Sequence, residues 1–311
     1  MNNPEVNKDT IYSLDFYDLI TIIWNRKYLL LVIISIFSAA SVFYSLSLED
    51  YYKSSSLLAV SSNESQNSSL SQYAGLASMV GVNLPIQASE NKTDLAIETL
   101  RSKDFFKYLI ESNDHMLRDI FAAESYDFRN DKINYDSRIY DVDKSVWTRK
   151  VNYPLSSKPS YIESHEFFIK EILRISHDQD SGYITLSIEH FSPIFAKDLL
   201  EIMIKELNTQ IRKRDLIEAN KAVEFLLNER KNTSVKSITD AIDSLIESQL
   251  RTIMLSEIKE DYIVKIIDSP HVPYKKSKPS RVIVCFIGFL IGLIFSILYI
   301  LLNYLRHESK S

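Results

Sequence analysis

The residues of this 311-residue chain best suited to metal or nucleophilic chemistry are six histidines, at 115, 165, 177, 190, 271 and 307, and one cysteine, Cys285. Their spacing supports neither chemistry. A zinc-protease helix needs HExxH, which sets two imidazoles on one face with a glutamate beside them; the pattern is absent. His165-Glu166 and His177-Asp178 are adjacent pairs able to trade a proton, but their surroundings read as a solvated helix start and a turn. No glycine precedes a lysine anywhere, which excludes the GxxxxGK[ST] loop and with it a fused ATPase or kinase module. GxSxG and CxxC are also missing. Five glycines in all leave little for phosphate cradles, and one cysteine makes no intramolecular disulfide. The formal net charge is -5, so no basic footprint points to nucleic acid. The expectation is a protein without catalytic residues, cofactor or metal.

Two apolar runs dominate instead. Residues 28–48 hold 21 consecutive uncharged positions and residues 282–304 hold 23. A bilayer core needs about 20 apolar residues, and one central charge costs roughly 2.5–3.5 kcal/mol. Both runs avoid that cost and read as transmembrane helices. Small residues at Ser38-Ala39-Ala40-Ser41 resemble a signal-peptide cleavage site, but about 27 residues precede the run and it continues through Val42-Phe43-Tyr44. An uncleaved anchor is the expectation.

Two spans place both ends of the chain on one side. Arg26 and Lys27 before the first span, with Glu49 and Asp50 after it, favour a cytoplasmic N-terminus, and Arg306 and Lys310 agree. The expected plan is a cytoplasmic segment 1–27, a span 28–48, a region 49–281 on the opposite side of the membrane, a span 282–304 and a cytoplasmic tail 305–311. Residues 11–27 recur at helical spacing through Leu14, Tyr17, Ile20 or Thr21 and Trp24. With Trp24, Arg26 and Lys27 this lead reads either as an interfacial anchor or as the first turns of the span.

Within the central region, YYKSSSLLAV (51–60) reads as a strand, 61–72 as a polar low-complexity loop and 73–84 as a small apolar helix-and-turn. Residues 92–113 carry apolar positions at helical spacing and predict one helix. Residues 124–160, rich in Tyr, Asp, Asn and Ser, show no period and read as irregular. EFFIKEILRISHD (166–178) predicts a helix running into a strand, HDQDSG a turn, and YITLSIEH (183–190) a half-buried strand with Ile184, Leu186 and Ile188 inward. Ser192-Pro193 then supplies an N-cap and N1 proline for a run to Lys231 without Gly or internal Pro, a rod of roughly 58 Å at about 1.5 Å per residue. Its stripe is Ala196, Leu200, Met203 or Ile204, Leu207, Ile211, Ala219, Ala222 or Val223 and Leu226. Ile194, Phe195, Ile202, Leu216, Ile217, Phe225 and Leu227 lie beyond one stripe and call for a further partner. After Asn232-Thr233-Ser234 a second helix with Ile238, Ile242, Leu245, Gln249 and Ile253 returns antiparallel, completing a hairpin over about 192–258. Residues 260–270 read as a strand. The fold class expected is α+β: two transmembrane helices flanking an α/β base with a long protruding helical hairpin.

The connector to the second span, DSPHVPYKKSKPSR (268–281), packs Pro270, Pro273 and Pro279 with five basic residues. Proline fixes φ, so the stretch reads as a semi-rigid, extended spacer with basic anchors at the lipid phosphates, or as an ordinary linker. In the second span Gly288 and Gly292 form a GxxxG, which permits close helix approach or arises by chance.

In this order, the lead DLITIIWNRKYLLL, the passage GYITLSIEHFSPIFAKDLLEIMIKELN, the segment RKRDLIEANKAVEFL, the passage LIESQLRTIMLSEIKEDYIVKIIDSP and the proline-basic stretch before a glycine-containing span resemble the polysaccharide co-polymerases, the chain length determinant (Wzz) proteins of Gram-negative inner membranes. The resemblance covers nearly the whole chain. It implies a periplasmic α/β base and a helical hairpin, and protomers joined in a ring-shaped homo-oligomer. It also implies a non-catalytic role: setting how many repeats a lipid-linked polysaccharide such as the O-antigen of lipopolysaccharide receives from its membrane polymerase. The partners implied are the protein itself, that polymerase, membrane lipid and the lipid-linked polysaccharide. A related branch works with a tyrosine kinase for capsule or exopolysaccharide export; the missing nucleotide loop and Tyr-rich tail favour the O-antigen branch. A two-span sensor lacks an output module here, and an export adaptor usually has one span and longer coiled coils.

Overall fold

The computed structural model describes residues 24, 26–61, 92–113 and 115–308. The expectations for the lead before Trp24, the loop 62–72, the stretch 73–84 and Lys310 lie outside the described residues. The chain divides into two compact units, one formed by residues 1–49 with 278–311 and the other by residues 50–277.

The first unit holds two helices, Lys27–Ser47 and Arg281–Glu308, packed along each other. Both are long and apolar enough to cross a membrane. Leu31, Ile36 and Phe43 on one, with Val282, Phe286 and Ile294 on the other, turn outward, the arrangement lipid favours.

The second unit begins with β1 (Tyr51–Val60). Helices α1 (Lys92–Arg101) and α2 (Lys103–Ser112) follow where the sequence predicts one. The break is local chemistry: the Ser102 hydroxyl accepts from the Phe105 N–H at 3.1 Å and caps a new helix. After α3 (Met116–Phe121) come two hairpins, β2 (Ala123–Asp127) with β3 (Lys132–Tyr135) and β4 (Tyr140–Asp141) with β5 (Val146–Trp147). They correct the irregular reading of 124–147. Asp131 and Ser145 take the positive-φ positions of the two turns, where Asp and Ser at local hydrogen-bond distance replace the more readable glycine.

Helix α4 (Tyr161–Phe167), capped by Ser160, widens into a π turn at Phe168–Ile172 and feeds β6 (Leu173–His177). A turn closed at Gly182 leads to β7 (Tyr183–His190). Then come α5 (Pro193–Asn232) and α6 (Lys236–Ile258), and β8 (Val264–Asp268) and β9 (Lys276–Lys278) close the unit. The main sheet runs β6-β7-β1-β8, antiparallel at each of these pairings. β7 sits centrally, and that position corrects its half-buried reading. Ile184, Leu186 and Ile188 are buried as expected, with His190 on the same face, but so are Ser187 and Glu189 from the other face.

The core joins Leu58, Leu186 and Ile188 of the sheet to Phe105, Phe106, Phe168 and the α5 residues Leu199, Leu200, Met203, Leu207 and Ile211. Beyond Ile211 α5 leaves this core and, among the described residues, pairs mainly with α6, through a small second cluster of Leu226, Ile242 and Leu245. An Arg230–Asp243 ion pair at 2.8 Å lies near the tip, and the Tyr262 hydroxyl donates to Asp215 at 2.9 Å near the root. The observed fold is α+β with two candidate membrane helices and a helical hairpin built on a mixed base.

Candidate functional site

In the two adjacent pairs, His165 and Asp178 are held by local hydrogen bonds. His165 is buried, not solvated as its sequence setting suggests, and its Nε2 meets the last carbonyl of α1 at Arg101, 2.8 Å away. His190 is enclosed: Nε2 meets the Asp119 carbonyl at 2.9 Å while Nδ1 accepts from the Ser192 N–H at 3.1 Å. Burial pushes its pKa down to about 4, so the ring is neutral at physiological pH and ties α3 to the start of α5. Asp178 spends its carboxylate on the turn, accepting from the Asp180 N–H and the Ser181 hydroxyl. Among the described residues no three His, Cys, Asp or Glu side chains gather as a metal site would require.

What the unit does present is surface. On α5, Ile217, Phe225 and Leu227 are exposed, while Phe195 and Ile202 pack on the core. On α6, Leu250, Met254 and Ile258 are exposed at spacings of four, which places them along one face. This second row escaped the sequence reading, which followed the Ile238–Ile242–Leu245 stripe; the i, i+4, i+8 spacing was its available signal. Exposed apolar rows along a two-helix rod are a docking surface by their chemistry.

The proline-basic stretch lies against the sheet. Pro270 and Pro273 are buried, and Pro279, after a cis peptide bond, is half-buried. Buried Ser56 of β1 donates to the Asp268 carbonyl at 2.6 Å, and Ser54 donates to the His271 carbonyl at 2.9 Å. Lys276 reaches Asp50 at 3.2 Å. The segment after β8 is thus held by side chains where proline leaves no N–H to continue a ladder. The sequence did not reveal why two serines sit at inward positions of β1; these carbonyls are the reason.

In the membrane unit, Trp24 is exposed and the Lys27 ammonium lies 5.6 Å from its ring centre and 5.5 Å from that of Tyr28. The Arg26 carbonyl accepts the first helical N–H groups, those of Leu29 and Leu30. Gly288 and Gly292 both face the first span. A Cβ on Gly288 would fall 2.5 Å from the Ser41 hydroxyl, and one on Gly292 would fall 2.8 Å from the Phe37 Cβ. Only hydrogen fits at either place. Phe37 and Phe295 meet across the two helices with ring centres 5.5 Å apart and planes tilted by 42°.

Two clefts flank the small hairpins. One, of about 490 Å³, is walled by Tyr51, Phe121, Phe167 and Phe191 with Glu163, Glu166 and Glu189 at its edge. Arg149 engages Glu163 through its two terminal guanidinium nitrogens and holds that carboxyl below the usual range. The other, of about 440 Å³, is lined by Arg118, Tyr140, Trp147, Lys158 and Tyr161.

The family model for the chain length determinant protein (Wzz) matches residues 12–112. Among solved structures, a full-length bacterial polysaccharide co-polymerase is 14% identical, with 94% of this chain and 99% of that chain covered at a TM-score of 0.39. A fragment of WzzB, a polysaccharide co-polymerase from Salmonella Typhimurium, is 13% identical, with 74% and 100% covered at a TM-score of 0.26. No curated protein matches. The chain resembles the chain length determinant (Wzz) family, and over residues 12–112 the family's own model carries that resemblance.

Proposed function

We propose that this protein sets the modal length of a lipid-linked surface polysaccharide of the O-antigen type. It acts as a non-catalytic, ring-shaped homo-oligomer beside the membrane polymerase. The reading places both termini in the cytoplasm and residues 49–281 in the periplasm of a bacterial inner membrane. The observation that carries it, together with the family match, is the exposed apolar residues of the hairpin, Ile217 and Phe225 on α5 and Leu250, Met254 and Ile258 on α6. Monomeric soluble surfaces rarely keep such rows uncovered, and lateral packing of copies would cover them. In this arrangement Pro270, Pro273 and Pro279 fix the path between base and second span. Gly288 and Gly292 fix the pairing of the spans, and Trp24, Arg26 and Lys27 anchor the first span at the lipid headgroups.

The test is the length distribution of the surface polysaccharide on a gel after deletion and complementation. Deletion is expected to spread or shorten the distribution with synthesis intact, and the native gene to restore it. A Pro270→Ala/Pro273→Ala/Pro279→Ala gene should shift the modal length while the protein still inserts. Loss of all polymer, or a ladder indifferent to deletion, refutes the proposal.

A further inference from the structure

The two small hairpins have no part in the main sheet, yet the structure spends considerable chemistry on them. Arg118 is fixed from three sides. Its Nε donates to Asp119 at 2.9 Å, and its guanidinium lies 4.8 Å from the ring centre of Tyr135 and 5.8 Å from that of Tyr140. Asp119 is in turn held by the Tyr135 hydroxyl at 2.6 Å. Tyr140 meets Trp147 edge to face, with centroids 5.2 Å apart. This shell forms one side of the 440 Å³ cleft, and Lys158, His115 and Tyr161 form the rest of its working surface. The volume falls in the range of about 300–1,000 Å³ typical of small-molecule sites.

We infer that this cleft binds one residue of an acidic glycan, a pyranose bearing a carboxylate. An aromatic face carries negative charge and attracts the C–H bonds on the apolar side of a sugar ring, the role of Trp147 and Tyr161. Charge-assisted hydrogen bonds are the strong ones for a carboxylate, and Arg118 and Lys158 supply cations in the same cleft. The acid lining the cleft, Glu111, pairs with Lys107 at 3.8 Å, and Lys107 lies over Tyr161 on the same rim. Asp119 is taken by Arg118. Lys158 then gives the cleft a positive balance within a chain of negative net charge, and the His115 ring adds a hydrogen-bonding edge. Ser145, at the turn of the β4–β5 hairpin, adds a hydroxyl that both donates and accepts, as sugar hydroxyls require. Because Arg118, Tyr140 and Trp147 are held by one another, little ordering remains to be done on binding. The inference deepens the proposed function and rests on it only for the source of the glycan.

The chain has two tryptophans, so in full-length detergent-solubilised protein carrying Trp24→Phe the indole emission reports Trp147 alone. Titration with tri-galacturonic acid is expected to change that emission saturably. Saturation-transfer NMR on the same trisaccharide reads contact independently of fluorescence. Maltotriose should bind at least about tenfold more weakly, and inorganic phosphate should leave the emission unchanged. Lys158 is exposed, so Lys158→Glu should leave circular dichroism and melting intact. It should weaken tri-galacturonate by about ten- to a hundredfold, the worth of one charged hydrogen bond. Absence of both signals, equal binding of maltotriose, an equal response to phosphate, or an unchanged Lys158→Glu titration each overturns the inference. Binding that passes these tests while the polysaccharide ladder ignores deletion would refute the proposed function and leave the glycan site standing.

Discussion

Asn208 is the residue by which the base grips the hairpin, and replacing it tests the packing logic of the unit. It lies on α5 among the core leucines, 6% exposed. Its Oδ1 accepts from the Ile263 N–H at 2.8 Å and the Val264 N–H at 3.0 Å, and its Nδ2 donates to the Val264 carbonyl at 3.0 Å. Both backbone partners are almost wholly buried, so water cannot replace the amide. Asn208→Leu keeps the volume approximately and removes all three bonds. Each buried group left unsatisfied costs about 1–3 kcal/mol, and two N–H groups are stranded, which gives about 4 kcal/mol. For a unit of this size about 1 kcal/mol moves the melting temperature by roughly 2–4 °C, so a drop of roughly 8–16 °C is expected. Melting of the detergent-solubilised full chain measures it. Hydrogen exchange should localise the loss to the amides of Ile263 and Val264. Thr209→Ala, which removes a hydroxyl bonded within its own helix to the Lys205 carbonyl, serves as control and should stay within about 0.5 kcal/mol. An Asn208→Leu melt within the control's range, or exchange unchanged at 263 and 264, would refute the reasoning.

His190 predicts acid sensitivity. Its pKa is about 4 when folded and 6.5 when exposed, so below pH 6.5 the unfolded chain takes up the proton first. Stability therefore falls as pH drops from 6.5 towards 4. Between pH 7.5 and 5 the loss is about 2 kcal/mol. His190→Gln should remove that share of the slope in denaturant melts at the two pH values; identical slopes would contradict the assignment. In the membrane unit, Gly288→Leu should destabilise the paired spans by about 1–3 kcal/mol through overpacking against Ser41, and Ser41→Gly in the same chain should recover much of it. Thermal unfolding in detergent reads both, and failure of the second substitution to rescue the first would mean the two positions do not meet.

Legibility followed the length scale of the signal. The spans and α5 were plain because one physical requirement repeats over twenty or more residues, and because Ser192-Pro193 marks a start that the Phe195 N–H confirms. The break at Ser102 was hidden, since apolar positions continue in helical phase on both sides and one hydroxyl decides the cap. The burial of both faces of β7 was equally hidden, because Ser187 and Glu189 look solvated until β6 and β1 flank them and Arg174 approaches Glu189 to 3.6 Å. In the stretch 123–147 the strands are two to five residues long, too short for alternation to register. Their order comes instead from contacts far apart in sequence, such as Tyr135 to Asp119 and Tyr140 to Trp147. The candidate site was illegible for that reason. Arg118, Trp147 and Tyr161 come from three elements, and only the tertiary fold brings them to one cleft.

The hairpin shows why a base so small can matter to something so long. Up to Ile211 the inward stripe of α5 is consumed by the core, and Asn208 pins it to β8. Beyond that point, among the described residues, the buried cluster is Leu226, Ile242 and Leu245, too few to set a direction by packing. The direction must come from the backbone. α5 crosses the junction as one helix from Pro193 to Asn232 without glycine or internal proline, the usual causes of a kink. Its upper half therefore inherits the angle fixed by the lower half. In an assembly of the kind proposed, spacing at the hairpin tips is set by contacts at the base. Substitutions at Ile217 or Phe225 would then act on how tightly copies adhere, and those at Leu200 or Asn208 on the geometry in which they do so.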